Sequence, residues 1–430
     1  MVGPMTVTGK ARWGHDPTGV ATSGSGSYPT IGDELVVRYG GRSYLAEDVA
    51  RGAAFELYSS APEAGFLPNP RPGARYPYRR FVHATEVVAV ESGSVPRDTP
   101  DGPLLVPLTR TLTFDHVHRL SQQAPRGGDP LLESIRGTVR VSRGSRMVKV
   151  LTGRQVAGYL RGGQLPHGFC YREYDIAHLR TPTDLRVLGD GADVSPAVAY
   201  AVRWRAVDPA DYRVPSAAYL PGLVSMPPVD RIGPPVLGTG FAPCDAHLIP
   251  EYVTADLADL PLPAFAELLA YTADGTEVTL FSYLPEQRTW SRMAGPRWRH
   301  LLAEIPGITP DQEYFPVPAA GPTRLVGTAG GAEHEAVADP PTEFRILAKT
   351  RAARFAVQTL VRRQVRGLWR GVDCLVVGRD RGWLRLRVPR PGPALVADLG
   401  LSCVERGVYE SWAPIADVTA LTEVDTPYDV

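Results

Sequence analysis

Glycine and proline interrupt this chain at short intervals, supplying 43 and 42 of its 430 residues, about a fifth against roughly 12% in an average protein. With 43% of residues apolar, near the share of a folded protein, the chain is turn-rich rather than disordered. At roughly 150 residues per domain, its length excludes a single small domain and sets an expectation of two to four modules. Basic and acidic residues balance at 46 each, which removes the overall basic field that favours non-specific nucleic-acid binding. Only Lys10, Lys149 and Lys349 are lysine. This arginine bias points to a high-GC, actinobacterial genome and inflates any argument that rests on arginine alone.

Cys170, Cys244, Cys374 and Cys403 lie far apart with no Cys-x-x-Cys pair, too sparse for a disulfide scaffold. The expectation is a reducing, cytoplasmic location. The first thirty residues hold Lys10 and Arg12 but no apolar signal core, and no apolar run approaches the roughly 20 residues of a membrane span. No membrane partner is expected, and export by a route that reads no such signal stays open.

Residues 1–30, rich in Gly, Ser, Thr and Pro, read as a flexible tail. Short β-type runs separated by Gly and Pro turns then define a small β module over 31–92. Residues 104–305 alternate strand and short helix signals, among them helices over Gly153–Arg161, with Thr152 as N-cap, Thr113–Gln122, Ala264–Tyr271 and Arg297–Glu304. The pattern argues a central mixed α+β domain. Pro306–Pro341 reads as a linker, and Thr342 would cap a basic amphipathic helix over 342–366. A second small β module follows over 367–430. The expected fold class is therefore α+β and multi-module, with a central α+β domain flanked by two small β modules.

The two β regions run in parallel. Val36 to Leu45, Phe55 to Tyr58 and Tyr78 to Val90 in the first correspond to Leu368 to Leu375, Trp383 to Leu386 and Tyr409 to Leu421 in the second. Each passes from turn to alternating strand to an aromatic-led closing strand in about 60 residues. In size and strand rhythm both resemble SH3-like or tudor-like β barrels, a resemblance that implies binding of a peptide or another macromolecule. The plainer alternative is two accessory meanders packed on the central domain.

In the middle region, Arg172 ends the apolar run Gly168-Phe169-Cys170-Tyr171, Thr239 and Phe241 follow in Gly238-Thr239-Gly240-Phe241, and Glu251 comes after Asp245-Ala246-His247. This order of arginine, small hydroxyl and acidic residue resembles the bacterial ADP-ribosyltransferase and NAD-glycohydrolase superfamily over residues 147–285. The resemblance implies that Arg172 binds NAD phosphate oxygens, Thr239 and Phe241 support the pocket, and Glu251 stabilises charge on the ribose as nicotinamide leaves. NAD would then be a substrate of a toxin-type effector, and no resident cofactor is expected. The family's Glu-x-Glu or Gln-x-Glu is absent; Asp245-x-His247 stands nearest. Alternatively, Arg172 makes a surface salt bridge and Glu251 caps the turn after Pro250.

Other clusters carry less. Asp115, His116 and His118 do not share a helix face. A zinc site at Cys244 and His247 would need Cys170, His167 or His178 brought near. The loop Tyr283–Met293 holds Glu286, Arg288, Trp290 and Arg292, which could line a pocket, or Trp290 and Trp298 could simply pack the domain edge. The basic segment with Trp369 has the residue types for nucleic acid, but neutrality and the lack of a recognised motif argue against that partner. The reading that results is a multi-module binding protein with an unidentified protein partner, and the alternative is an NAD-consuming enzyme.

Overall fold

Paired left-handed residues at hairpin turns shape both ends of the chain. Arg51 and Gly52 have φ of 52° and 81°, and Arg381 and Gly382 have 42° and 92°. Two successive positive φ values are the type I′ turn, whose twist matches that of the strands it joins. Each is preceded at the same spacing by another such turn, Gly40–Gly41 and Arg370–Gly371.

The computed structural model describes residues 35–87, 89–90, 106–107, 140–186, 188–189, 195–215, 241–244, 247–303, 305–318, 321–340, 343–346 and 355–430. In the N-terminal module, strands Leu35–Tyr39, Arg42–Asp48, Ala54–Ser59 and Tyr78–His83 form an antiparallel meander. A 3-10 turn, Ala84–Glu86, follows, and Ala89–Val90 returns to pair with the first strand. The C-terminal module repeats this path with Thr359–Trp369, Val372–Asp380, Trp383–Arg387 and Val408–Pro414, then a 3-10 turn Ile415–Asp417. Val418–Tyr428 then pairs with the first strand. Both modules are elaborated between the third and fourth of these strands, by Leu67–Pro68 in one and by helix Pro393–Leu399 with strand Ser402–Glu405 in the other. Their cores are separate: Val37, Phe55, Leu57 and Val82 in the first, Cys374, Leu384, Leu386 and Tyr409 in the second.

Between them lies a nine-stranded sheet in the spatial order Tyr212–Arg213, Tyr252–Thr254, Phe169–Arg172, Arg146–Leu151, Val198–Arg205, Glu267–Thr272, Glu277–Leu284, Thr289–Arg292 and Tyr314–Pro316. Helix Gly153–Leu160 packs on it, started by a reciprocal cap in which Thr152 Oγ1 accepts from the Gln155 amide and Gln155 Oε1 from the Thr152 amide. Its Val156, Ala157, Tyr159 and Leu160 are buried. Trp290, fully buried, donates its indole N–H to the Tyr159 carbonyl at 3.0 Å, so this tryptophan is core rather than pocket lining.

The expected α+β class is overturned: among the described residues strands hold 47% and helices 14%, in antiparallel sheets. Ala264–Tyr271, expected as a helix, is the strand Glu267–Thr272, flanked by strands on both sides and buried on both faces. Arg297–Glu304 is a 3-10 turn, Pro296–Trp298, and a single helical turn, His300–Ala303. The basic helix expected over 342–366 is also strand where described, Glu343–Ile346 and Thr359–Trp369. The stretch 306–341, expected as a linker, supplies Tyr314–Pro316 and the hairpin Thr323–Ala329 with Ala332–Asp339, which extends the C-terminal sheet. Residues 1–34, the stretch 91–105 and the segment Thr113–Gln122 lie outside the described residues. Among the described residues, no helix is long and apolar enough to cross a membrane.

Candidate functional site

Alternation along a strand sends neighbouring side chains to opposite faces, and this decides what Arg172 and Glu251 can do together. Arg172 shares the face of Cys170 and Tyr252, whereas Glu251 is bound by the Tyr171 hydroxyl on the other face, at 2.9 Å. Arg172 is 2% exposed and grips Asp175 with two bonds, Nε to Oδ2 at 2.7 Å and Nη2 to Oδ1 at 2.9 Å, while Nη1 donates to the Arg140 carbonyl. It is a buried structural pair rather than a surface one. Glu251 is fully buried and accepts from Arg406, whose guanidinium lies 3.7 Å from the centre of the Phe169 ring. The two residues therefore do not converge on one cleft. Thr239 lies outside the described residues. Phe241 begins the strand Phe241–Cys244 of a small three-stranded sheet, and its side chain is likewise outside them, as are Asp115, His116 and His118.

Cys170 is buried on the sheet, and burial pushes its thiol up to about 12, with Lys149 pulling only weakly the other way, so it is held as an inert thiol. Among the described residues no group of three or more His, Cys, Asp or Glu side chains is arranged to hold a metal.

The polar residues that do converge lie where the C-terminal module meets the central sheet. Lys149 Nζ reaches Glu405 Oε1 at 2.5 Å and the His167 carbonyl at 2.6 Å, and Gln155 Nε2 donates to Glu405 Oε2 at 2.7 Å. His167 stands between two carboxylates, with Nε2 3.5 Å from Glu405 Oε2 and Nδ1 3.3 Å from Asp259 Oδ1. Asp259 accepts from Arg387 Nη1 at 2.6 Å, and Arg387 closes on Glu410 Oε1 through Nε and Nη2 at 3.0 and 2.8 Å. Lys149, Glu405, His167, Asp259, Arg387 and Glu410 thus form a buried ladder of alternating sign. None of it was legible as a site, because its members are scattered from position 149 to position 410. A small hollow of about 30 Å³ beside it is lined by Lys149, Thr152, Gln155, Glu405 and Arg406 among others. Both cations there are already engaged by carboxylates, which leaves no unmatched positive charge for an anionic ligand.

The N-terminal module docks on the same domain by a related device. Arg79 Nη1 bonds Glu56 Oε1 at 3.0 Å and the Asp274 carbonyl at 2.6 Å, as Arg387 bonds Glu410 and the Leu257 carbonyl, also at 2.6 Å. In the N-terminal module the third strand carries the acid and the fourth the arginine; in the C-terminal module the third carries the arginine and the fourth the acid.

Beyond Arg387 and Glu410 the same outer face becomes solvent-exposed. Arg385 pairs with Trp412 and Trp383 with Pro414 across the strands, and Arg385 Nε lies 3.5 Å from Glu410 Oε2. Trp383 and Trp412, diagonal neighbours, are 47% and 49% exposed. Comparison of the chain with protein-family models, with curated proteins and with solved structures finds no match.

Proposed function

We propose that the chain is a non-catalytic, multi-module binding protein that takes a protein partner on the outer face of its C-terminal module. The observation that carries this reading is the exposed diagonal pair Trp383 and Trp412, bordered by Arg385. Tryptophan and arginine are the residue types that dominate protein interfaces, and large aromatic side chains standing together in water mark contact surfaces. The resemblance of the module to SH3-like and tudor-like barrels supports the same reading. The catalytic alternative is disfavoured because Arg172 and Glu251 are spent in buried ion pairs on opposite faces.

A peptide-display library panned on the wild-type chain and on a Trp383→Ala/Trp412→Ala variant tests it. Exposed positions tolerate such changes within about 0.5 kcal/mol, so the variant should melt with the wild type. Peptides enriched on the wild type should lose at least about tenfold in affinity for the variant. Enrichment that is absent from the wild type, or equal on both proteins, overturns the proposal.

A further inference from the structure

Of the six charged groups in the buried ladder, only His167 can change charge near neutral pH. Named groups surround it: the Leu165 carbonyl meets Nδ1 from its own loop, Lys149 holds the His167 carbonyl from the neighbouring strand, and Gln155 reaches the shared Glu405 from the helix. Asp259 faces it from the segment after Thr254, and Glu405 and Arg387, backed by Glu410, from the C-terminal module. Nδ1 lies 2.8 Å from the Leu165 carbonyl, an atom that can only accept, so a neutral ring keeps its proton on Nδ1. Nε2 would then present a lone pair to Glu405 Oε2 at 3.5 Å. With the ring protonated, Lys149, His167 and Arg387 balance Glu405, Asp259 and Glu410 within the ladder; with the ring neutral, Glu405 loses the cation at its Oε2, and the excess negative charge is met only by Arg385 beside Glu410 at the other end.

We propose that the His167 imidazolium is a proton-operated latch between the central domain and the C-terminal module, and that loss of its Nε2 proton to solvent loosens the module at the Glu405 end of the interface. Burial and Arg387 disfavour the charged ring, but Glu405 and Asp259 outweigh them and hold its pKa above the usual histidine value. For a raised pKa the contribution is complete below the ordinary value of about 6.5 and is lost as pH rises through the folded value. Glu405, by contrast, is held well below the usual carboxylate range by Lys149 and His167 despite its burial, so the latch stays closed in mild acid. The far end of the interface does not pass through His167. There Arg362 and Tyr428 hold Asp211, and Leu360 packs with Val207.

Hydrogen exchange of the full chain between pH 5.5 and 9, corrected for the intrinsic exchange rate, tests the proposal. Opening of the Ser402–Glu410 segment should rise by up to about tenfold per pH unit above the His167 pKa, while Thr359–Gln364 stays level. His167→Gln, which keeps a donor but cannot titrate, should abolish the rise. Equal protection at all pH values, or the same rise in His167→Gln, overturns the proposal. Should that variant not fold, ¹⁵N imidazole shifts of the wild type decide: a doubly protonated ring at pH 6 supports the latch, and a singly protonated one refutes it.

Discussion

Arg362 reaches from the first strand of the C-terminal module into the carboxylate of Asp211, which also accepts two contacts from the Tyr428 hydroxyl, at 2.9 and 2.7 Å. Burial nonetheless pushes Asp211 up to about 6 against the pull of Arg362, and Asp175 up to about 6 against that of Arg172. Stability contributed by such groups is fully present below their unfolded value near 3.8 and is lost as pH rises through 6. Asp259 runs the other way. Burial would raise it, but Arg387 and His167 hold it down to about 2, so its contribution is present above 3.8 and lost as pH falls toward 2. Urea midpoints measured from pH 3 to 8 should therefore peak near pH 4 and fall between about 4 and 6. A steady climb to pH 8 would contradict this assignment.

Arg387→Met should be costly although methionine fills much of the space. It leaves Asp259 and Glu410 buried without their shared cation, a loss of about 3–5 kcal/mol. Chemical denaturation should show it, with the C-terminal module becoming the first region to yield to protease.

Glu251→Gln should act on stability and not on chemistry. The change deprives buried Arg406 of its carboxylate, at a cost of about 3–5 kcal/mol readable in the denaturation midpoint. Wild type and variant alike should release no nicotinamide from NAD above the buffer rate; release by the wild type that the variant lacks would restore the enzymatic reading.

Gly275→Ala should loosen the N-terminal module. Gly275 has φ of 77°, and a Cβ there would come within 2.5 Å of Phe81 Cζ. Strain and displacement together are expected to cost about 1–3 kcal/mol, measured as faster proteolysis within residues 35–87 than in the wild type.

The turn-punctuated strands of the two end modules were legible because Gly and Arg-Gly turns separate alternating apolar rows; Ala54–Ser59 begins and ends where turn chemistry places it. The cap at Thr152 was legible for the same local reason. The strand Thr359–Trp369 was not. Its inward row over Leu360, Arg362 and Gln364 is buried, but two of the three are polar, and what makes the burial of Arg362 tolerable is Asp211, remote in sequence. Glu267–Thr272 was hidden differently: Leu268, Leu269 and Ala270 are good helix formers, and burial on both faces erases the period-two signal. Arg172 and Glu251 stood out in the sequence only by their order along the chain; the charges they answer to, Asp175 and Arg406, give them structural work.

The register of the two docking strands also governs assembly errors. Two modules of one topology beside one central domain could in principle take each other's places. Counted back from the 3-10 turn that follows each fourth strand, Arg79 is level with Glu410, so Tyr58 and not a cation matches Arg387, and the N-terminal module in the seat at Asp259 would offer that carboxylate no guanidinium. A buried carboxylate deprived of its cation costs about 3–5 kcal/mol. Tyr58 in one module and Arg387 in the other thus act as an address, sending each module to its own berth.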